Sequence, residues 1–337
     1  MTITLPSLSR TRGAVTQALR TALEQLDETT RMQAGYHFGW TDRDGQPTGG
    51  NGGKAVRPSL ALLSAEAAGA PAEAGMPGAV AVELVHNFSL LHDDLMDGDV
   101  ERRHRRTVWS VWGPSSAILT GDALLTLATE VLLDSGSPDA AAATKLLAGA
   151  TRELIRGQVL DLAFERRAQV TKDECLDMAA AKTGALLSAS AAIGAVLAGG
   201  PDPLIAALAR YGAELGLAFQ LVDDMLGIWG DPEVTGKPVC SDLRSRKKSL
   251  PVTYALAHGG VAAQELAEWL ADTGEHDEAA LHRAAELITA AGGRDWAAGE
   301  ADRRLALALR ALDEVEMPDQ ARDGLVALGE FIVSREA

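Results

Sequence analysis

Apolar residues recur at three- and four-residue steps along most of the chain, which places them on one face of an α-helix. Runs that alternate β-branched or aromatic residues with polar ones, the usual sign of strands, are nearly absent. The apolar spacing predicts helices over Ala14–Gly35, Gly78–Leu91, Ile118–Leu133, Ala142–Phe164, Lys172–Leu197, Leu204–Ile228 and Ala301–Leu312. The C-terminal region Gly259–Ala337 is also helical in character, but no motif assigns it a function. The sequence therefore predicts an all-α fold.

Four stretches interrupt this pattern with glycine, proline and polar residues, and we expect them to connect helices. They are Asp42–Gly53, Ala68–Pro77, Gly199–Pro203 and Gly230–Arg246. None is long enough to link two domains, so the chain is predicted to form one domain over residues 1–337. No stretch of about 18 residues is both apolar and free of charges, so no membrane span is expected. The first residues lack an apolar core, so no signal peptide is expected either.

Composition narrows the architecture and the possible partners. Hydrophobic residues make up 47% of the chain and aromatic residues only 4%, so helices must pack closely through alanine and glycine, which favours a large bundle of long helices. The formal net charge of −16 argues against non-specific binding to nucleic acid or to an anionic membrane. Cys175 and Cys240 have no cysteine or histidine neighbours at metal-binding spacing, so we expect a cytoplasmic protein without disulfides or zinc.

Three carboxylates lie close together where one apolar helix is predicted to end. Asp93 and Asp97 are four residues apart and share a helical face, and Asp94 lies beside them. Neighbouring carboxylates repel one another, and Mg²⁺, which binds one or two carboxylates together with substrate phosphates, would relieve that repulsion. A solvated acidic helix end is the simpler interpretation of this cluster taken alone. An EF-hand loop is excluded, because Leu95 and His104 stand where it needs acidic ligands.

A second acidic pair repeats this layout far along the chain. Asp223 and Asp224 follow an apolar helical segment and precede a loop with glycine and proline. Two aspartate clusters facing each other inside an apolar bundle would form a cavity in which divalent cations hold a polyanion.

Basic residues gather beside the acidic clusters of this acidic chain. They are Lys54, Arg57, Arg102, Arg103, Arg105, Arg106, Lys237, Arg244, Arg246, Lys247 and Lys248. Arginine offers a bidentate fork to phosphate oxygens and lysine a point charge, so this grouping indicates a diphosphate site. For the run Arg244–Lys248, a solvated surface is the alternative interpretation.

Taken together and in this order, the motifs resemble the all-trans isoprenyl diphosphate (polyprenyl) synthase family, and in particular its geranylgeranyl diphosphate synthases. The matching motifs span about residues 50–255 and are GGKAVRP (52–58), HNFSLLHDDLMD (86–97), RRHRRT (102–107), KTG (182–184), FQLVDD (219–224) and GKPVCSDL (236–243). The resemblance implies the isoprenoid synthase fold, a large bundle of long helices around a central cavity, in a homodimer.

The resemblance also implies roles for individual residues. The residues implied to bind Mg²⁺, three ions per site, and to carry catalysis together with Lys182 are Asp93, Asp94, Asp97, Asp223 and Asp224. Those implied to hold isopentenyl diphosphate are Lys54, Arg57, His86 and Arg103. Those implied to hold the allylic diphosphate are Arg102, Lys182, Thr183, Gln220, Lys237 and Lys247. The implied reaction is ionisation of the allylic substrate, condensation and loss of a proton.

One position departs from the family pattern. The second motif usually reads DDxxD, but Gly227 stands at its last place. Asp231 follows four residues later, beyond a predicted helix break at Gly230, and is not expected to substitute. The usual metal geometry on this side is therefore in question.

Product length is expected to depend on the residues just before the first cluster. Phe88, five residues before Asp93, and the small Ser89 are similar to the arrangement that makes geranylgeranyl diphosphate (C20). Phe88 as ordinary core packing, and a farnesyl or longer product, stay open. We expect Phe88→Ala to lengthen the product.

Two other functions are compatible with the fold that the resemblance implies. A class I terpene cyclase would ionise one long diphosphate, and Gly227 is compatible with it. The set Lys54, Arg57 and His86 argues against a cyclase, because a cyclase has no use for an isopentenyl site. A non-catalytic subunit of a heteromeric prenyl synthase is disfavoured by the intact first aspartate cluster.

Overall fold

The computed structural model describes residues 6–48, 55–231, 239–272, 274 and 276–334, with the backbone alone for residues 6–11. The helices are α1 (Pro6–Leu23), α2 (Glu28–His37), α3 (Val56–Ala67), α4 (Met76–Met96), α5 (Val108–Trp112), α6 (Pro114–Leu133), α7 (Ala140–Arg166), α8 (Lys172–Ala179), α9 (Ala185–Leu197), α10 (Asp202–Trp229), α11 (Ser241–Arg244), α12 (Leu250–His258), α13 (Gly260–Ala271), α14 (Glu278–Ala290), α15 (Gly293–Asp313) and α16 (Asp319–Val333). A 3₁₀ turn, Ala72–Gly75, precedes α4. Strands β1 (Glu101–Arg102) and β2 (Arg105–Arg106) form an antiparallel hairpin. The prediction of an all-α fold is confirmed.

Two predicted helices are interrupted in the structure. The first, Ala14–Gly35, is broken before Asp27, whose side chain accepts hydrogen bonds from the N–H groups of Thr29 and Thr30 and so begins α2. The second, Lys172–Leu197, contains a π-helical turn, Ala180–Gly184, between α8 and α9. After each break, the side chains point in directions different from those that one continuous helix would give them.

The described residues fall into two compact units. Those within Met1–Gly149, Ala189–Ala209 and Val315–Leu325 form the first unit, and those within Ala150–Ser188, Arg210–Glu314 and Val326–Ala337 form the second. The sequence-based prediction of a single domain stays a prediction.

Helix α4 is the central helix of the first unit and packs against α3 and α6. Val82, Leu84 and Val85 on α4 are fully buried. Small residues bring neighbouring helices close together, since a Cβ at Gly194 of α9 would lie 1.9 Å from the carbonyl oxygen of Ala61 in α3. The close packing through glycine and alanine that composition indicates occurs here.

Two apolar clusters fix the C-terminal half of α10 in the second unit. In one, Leu221 packs with Cys175 of α8 and Leu250 of α12. In the other, Ile228 packs with Leu243 of α11. The clusters hold the segment that carries the second acidic pair at both of its ends.

Three helical segments are long and apolar enough to cross a membrane by length and composition alone: Pro114–Leu133, Lys172–Leu197 and Asp202–Trp229. This differs from the sequence-based expectation, which required a stretch without charges. In Lys172–Leu197, 78% of the apolar window is buried inside the protein, whereas in Pro114–Leu133 only 39% is buried. Helix α6 therefore presents apolar side chains that the described chain leaves uncovered.

Candidate active site

The C-terminal end of α4 carries the first acidic cluster. Asp97 caps the helix with φ −84° and ψ −10°, and its N–H donates to the carbonyl oxygen of Asp93 at 2.8 Å. Because this geometry continues the helix, Asp93 and Asp97 lie one turn apart on the same face. Asp93 is half-buried and Asp97 is exposed. The Asp97 end of this face is therefore accessible to solvent.

Asp94 is buried, and its two oxygens differ. Arg102 Nε donates to Oδ1 at 2.6 Å, whereas Oδ2 is buried and has no hydrogen-bond partner. Burial raises the pKa of Asp94 to about 6, although the charge of Arg102 opposes this rise. An unsatisfied buried polar atom costs about 1–3 kcal/mol, and a bound cation would satisfy it.

The carboxylates suit Mg²⁺ in kind and spacing without forming a closed cage. Across the part of the chain that the structure describes, no three His, Cys, Asp or Glu side chains lie in metal-binding geometry. Mg²⁺ usually takes one or two carboxylates and completes its shell with water and substrate phosphates. A cation that arrives with a diphosphate therefore suits this site better than a permanently bound one.

The β1–β2 hairpin presents arginines to a cavity of about 300 Å³ that Asp94 also lines. Arg102 is paired with Arg105 across the hairpin. In the turn between them, Arg103 and His104 adopt left-handed conformations with φ of 52° and 60°. Arg102 and Arg103 both line the cavity, which supports their predicted roles in diphosphate binding.

The other two arginines of the hairpin attach it to α2. The guanidinium carbon of Arg105 lies 4.4 Å from the ring centroid of Tyr36, and Arg105 donates to the carbonyl oxygen of Thr41 at 2.6 Å. The carbonyl oxygen of Arg106 accepts a hydrogen bond from the Tyr36 hydroxyl at 2.8 Å. These contacts give Arg105 and Arg106 a structural role.

A second group of basic residues lies along α3 and α4. The Nε of Arg57 is buried without a hydrogen-bond partner. Burial raises the pKa of Glu83, while Arg57 and a 3.1 Å hydrogen bond from Asn87 oppose the rise. Burial and the charges of Arg57 and Arg103 keep the pKa of His86 well below its usual value. A neutral imidazole and an unsatisfied guanidinium supply N–H donors for an anion.

Two residues beside this group, His37 at the end of α2 and the acidic Glu83 on α4, are absent from the sequence-based predictions. Burial and the charges of Arg102 and Arg103 lower the pKa of His37 to about 3, so this imidazole is neutral. Glu83 lies three residues before His86 on one helix face, a spacing that could have revealed it. His37, at the end of α2, has no comparable signal. Lys54, predicted to belong to the same site, lies outside the described residues.

The second acidic pair lies near the C-terminal end of α10. Asp223 is exposed, whereas Asp224 is buried. Oδ2 of Asp224 accepts from the N–H of Leu250 at 2.9 Å, and Oδ1 accepts from Nε2 of Gln220 at 2.8 Å. Oε1 of Gln220 accepts from the Thr183 hydroxyl at 2.7 Å. Asp224 therefore orders Gln220 and Thr183, and Asp223 is the member of the pair that faces solvent.

Two lysines accompany this pair. Lys182, in the π-helical turn, places its Nζ 2.6 Å from Oδ2 of Asp161 on α7. Burial would lower the pKa of Lys247, but four carboxylates raise it above its usual value, so its ammonium group is charged. Those carboxylates belong to Asp242, Asp224, Asp161 and Asp223. Lys237, predicted to belong to the allylic site, lies outside the described residues.

Helix α7 contributes two polar residues that no predicted motif includes, Gln158 and Asp161. Gln158 is buried, and neither of its amide atoms has a hydrogen-bond partner. Both residues follow Gly157, where a Cβ would lie 2.2 Å from the backbone nitrogen of Lys182. Polar residues within an apolar helical stretch were the available sequence signal.

An all-α chain with two aspartate clusters, each accompanied by its own basic side chains, has the fold and the residue set of an isoprenoid synthase. Residues 46–288 match the model of the polyprenyl synthetase family, and the chain belongs to this family of prenyltransferases. The sequence-based predictions of family, fold and enzyme class are confirmed.

Characterised relatives narrow the class further. A (2E,6E)-farnesyl diphosphate synthase of Mycobacterium tuberculosis is 53% identical over 99% of this chain and 94% of its own length. A geranylgeranyl diphosphate synthase of the same species is 45% identical over 98% of this chain and 93% of its own length. The crystal structure of a polyprenyl synthetase from Streptomyces coelicolor A3(2) superposes with a TM-score of 0.93 at 55% identity, covering 97% of this chain and 98% of that one. The chain is a short-chain trans-prenyltransferase.

Proposed function

We propose that this prenyltransferase joins isopentenyl diphosphate to allylic diphosphates and extends them to geranylgeranyl diphosphate (C20). The observation that carries the proposed chemistry is the buried, unpartnered Oδ2 of Asp94 beside Arg102, at a cavity that Arg103 also lines. An unsatisfied carboxylate oxygen among arginines suits a cation that is bound together with a diphosphate.

The first step is departure of diphosphate from the allylic substrate. The family is in general Mg²⁺-dependent, and Mg²⁺ held by Asp93, Asp94 and Asp97 of the first unit, or by Asp223 of the second, would stabilise the charge that develops on the leaving group. In the first unit, Arg102 would add fixed positive charge to the diphosphate. In the second unit, Lys182 and Lys247 are proposed to play the same role, as is Lys237. Thr183 and Gln220 orient the diphosphate through their hydroxyl and amide groups. Preorganised charge of this kind is usually the largest contribution to catalysis.

The second step is attack by isopentenyl diphosphate on the allylic cation. Arg57, His86 and Arg103, together with Lys54, hold its diphosphate through N–H donors. Because His86 is neutral, it binds by hydrogen bonding and adds no further charge beside the two arginines. Fixing both reactants in one site removes the entropic cost of bringing them together. Proton loss from the condensed product, to the released diphosphate, completes the reaction.

Chain length depends on the face of α4 that precedes Asp93. Ser89 lies one turn before Asp93 on the same face, and its hydroxyl donates to the carbonyl oxygen of His86 at 2.8 Å, so the small side chain folds back on its own helix. Phe88 packs edge-on against His92 at 4.9 Å between ring centroids, and His92 in turn contacts the carbonyl oxygen of Ile118 in α6. A small residue on the Asp93 face supports a product longer than C15.

Ser89→Phe is therefore expected to shift the main product from C20 to C15, because an aromatic ring would occupy the face next to Asp93. Chain-length analysis of the products measures the shift, and Ser89→Ala, which keeps the side chain small, serves as the control. An unchanged product distribution in Ser89→Phe would exclude this face as the limit. The prediction that Phe88→Ala lengthens the product stays a prediction and is tested by the same measurement.

A second candidate product is farnesyl diphosphate (C15), because the 53% identical relative is a farnesyl diphosphate synthase. Isopentenyl diphosphate is incubated with C5, C10 and C15 primers and Mg²⁺, and the products are separated by length. Accumulation of C20 from every primer supports the proposal, and arrest at C15 supports the second candidate. Hydrocarbon release from geranylgeranyl diphosphate alone would instead identify a terpene cyclase.

We also propose a homodimer, which the apolar surface of α6 supports. Leu119 is 64% exposed and Ile118 is 43% exposed on this helix. A second copy of the chain would cover this stripe, because a two-fold symmetric interface brings the same apolar surface of both copies together. Location in the cytoplasm is proposed as well, on the support of two buried free cysteines.

Leu119→Glu is expected to convert the dimer to a monomer, because a charge would have to be buried in the interface. Light scattering coupled to size-exclusion chromatography measures the mass. Val261→Glu, which alters an equally exposed apolar residue on α13 (70% exposed), is the matched control and should leave the mass unchanged. A Leu119→Glu protein with the wild-type mass would place the contact elsewhere.

A further inference from the structure

Glu83 brings a negative charge to the place where the diphosphate of isopentenyl diphosphate is proposed to bind. Burial lowers the pKa of both Arg57 and Arg103, and the charge of Glu83 opposes this fall in each case. The carboxylate thus offsets part of the cost of burying two guanidinium groups. The same carboxylate could also compete with a diphosphate for their N–H groups, because arginine pairs with either anion through two parallel hydrogen bonds.

The structure keeps the carboxylate and the arginines apart. Among the residues that the structure describes, no ion pair is formed between Glu83 and either Arg57 or Arg103. The Nε of Arg57 is buried without a hydrogen-bond partner, although the charges of Arg57 and Glu83 attract one another. An attraction that does not end in contact indicates that the carboxylate is restrained.

Asn87 supplies this restraint from the next turn of α4. Its Nδ2 donates to the carbonyl oxygen of Glu83 at 2.8 Å and to Oε1 of Glu83 at 3.1 Å, so both amide hydrogens are bound to one residue. Asn87 is only 2% exposed, and its amide oxygen accepts a hydrogen bond from His37, whose neutral ring lines the same cavity as Arg103. Partners on both sides fix the amide and hold the carboxylate against its own helix.

We propose that Asn87 is a positioning residue of the isopentenyl site: it holds the Glu83 carboxylate away from Arg57 and Arg103, so that their N–H groups stay available to the diphosphate. The inference rests on the proposed function, since it assigns a residue to that same site. All the residues involved belong to the first unit. Asn87 touches neither substrate in this role and acts only through Glu83.

Asn87→Ser separates the two hydrogen bonds that Asn87 donates. A serine hydroxyl in a helix bonds to the carbonyl oxygen four residues earlier, so the bond to the Glu83 backbone is kept, whereas the shorter side chain releases the carboxylate. The released carboxylate should pair with the arginines and raise KM for isopentenyl diphosphate about tenfold, a coupling typical of one hydrogen-bond network. KM for the allylic diphosphate should stay within about twofold of the wild-type value. Steady-state kinetics, with one substrate varied while the other is saturating, measure both constants.

Removing the charge of Glu83 in the same protein is the decisive comparison. Asn87→Ser combined with Glu83→Gln should return KM for isopentenyl diphosphate to within about threefold of the wild-type value, because a neutral amide does not compete for the arginines. The matched control uses Glu66, a half-buried glutamate on α3 whose charged neighbour is another acid, Glu73. Asn87→Ser combined with Glu66→Gln should keep the raised KM.

An Asn87→Ser protein with a lower melting temperature but the wild-type KM would overturn the inference and leave Asn87 with a structural role alone. A raised KM that Glu83→Gln does not reverse would overturn it as well. If Asn87→Ser does not fold, Asn87→Thr, which keeps the hydroxyl and replaces more of the lost volume, takes its place in the same combinations. Absence of condensation by the wild-type protein with every primer would instead contradict the proposed function itself.

Discussion

Asp93→Asn is expected to lower kcat by about 10²–10³-fold, the usual effect of removing one group that stabilises charge in a transition state. The substitution keeps the size of the side chain and removes its charge from the face that Asp93 shares with Asp97. Because Asp93 is half-buried at a helix end, the melting temperature should change little. Steady-state kinetics at saturating isopentenyl and allylic diphosphates, with Mg²⁺ in excess, measure the effect.

The control for this experiment is Asp122→Asn on α6, which removes an exposed helical carboxylate (58% exposed) from the same unit. Its kcat should equal that of the wild type. If Asp93→Asn were as active as Asp122→Asn, the carboxylates of α4 would have no part in the reaction, and the proposed mechanism would be wrong.

Gly157→Ala is expected to reduce both stability and activity, although alanine is the better helix former. A Cβ at this position of α7 would lie 2.2 Å from the backbone nitrogen and 2.5 Å from the Cα of Lys182, and neither atom can turn aside. The free energy of unfolding should fall by about 1–3 kcal/mol, as overpacking typically costs. Since Lys182 would shift away from Asp161, kcat/KM should fall by about 10–100-fold, in line with the cost of displacing a catalytic group by about 1 Å.

Gly149→Ala on the same helix is the matched control. No atom lies within 4 Å of a Cβ at Gly149, so alanine there should stabilise the protein by about 0.5–1 kcal/mol through helix propensity. Chemical denaturation and kinetics of the two variants separate the effects. Equal stability and activity would show that α7 and the π-helical turn can move apart freely.

Apolar spacing predicts the long helices well and their interruptions poorly. Gly78–Leu91 and Leu204–Ile228 lie within α4 and α10. The break before Asp27 carried a signal, because an aspartate followed by a glutamate is a typical helix start. The π-helical turn carried none, since the alanines that surround it suit a buried or an exposed face and so hide the shift in the apolar pattern. The β1–β2 hairpin escaped prediction because its four strand residues are all charged and show no apolar alternation, and because its turn needs two left-handed residues.

Motif positions predict which residues carry chemistry but not how each is used. Asp93 and Asp94 are adjacent in sequence, yet the first is half-buried while the second is buried against Arg102. Asp224 is equivalent to Asp223 in the sequence motif, but both of its oxygens accept hydrogen bonds within the protein. The partnership of Lys182 with Asp161 depends on how α7 packs against the π-helical turn, which no spacing along the chain encodes.

The π-helical turn between α8 and α9 has a consequence for how this chain can vary. Each residue advances an α-helix by about 100°, so a single extra residue puts everything after Gly184 out of phase with everything before Ala180. Deleting one residue there would restore a regular helix and rotate α9, turning buried Leu186 and Leu187 out of the core. Inserting or deleting a residue in this segment should therefore destabilise the protein far more than substituting one.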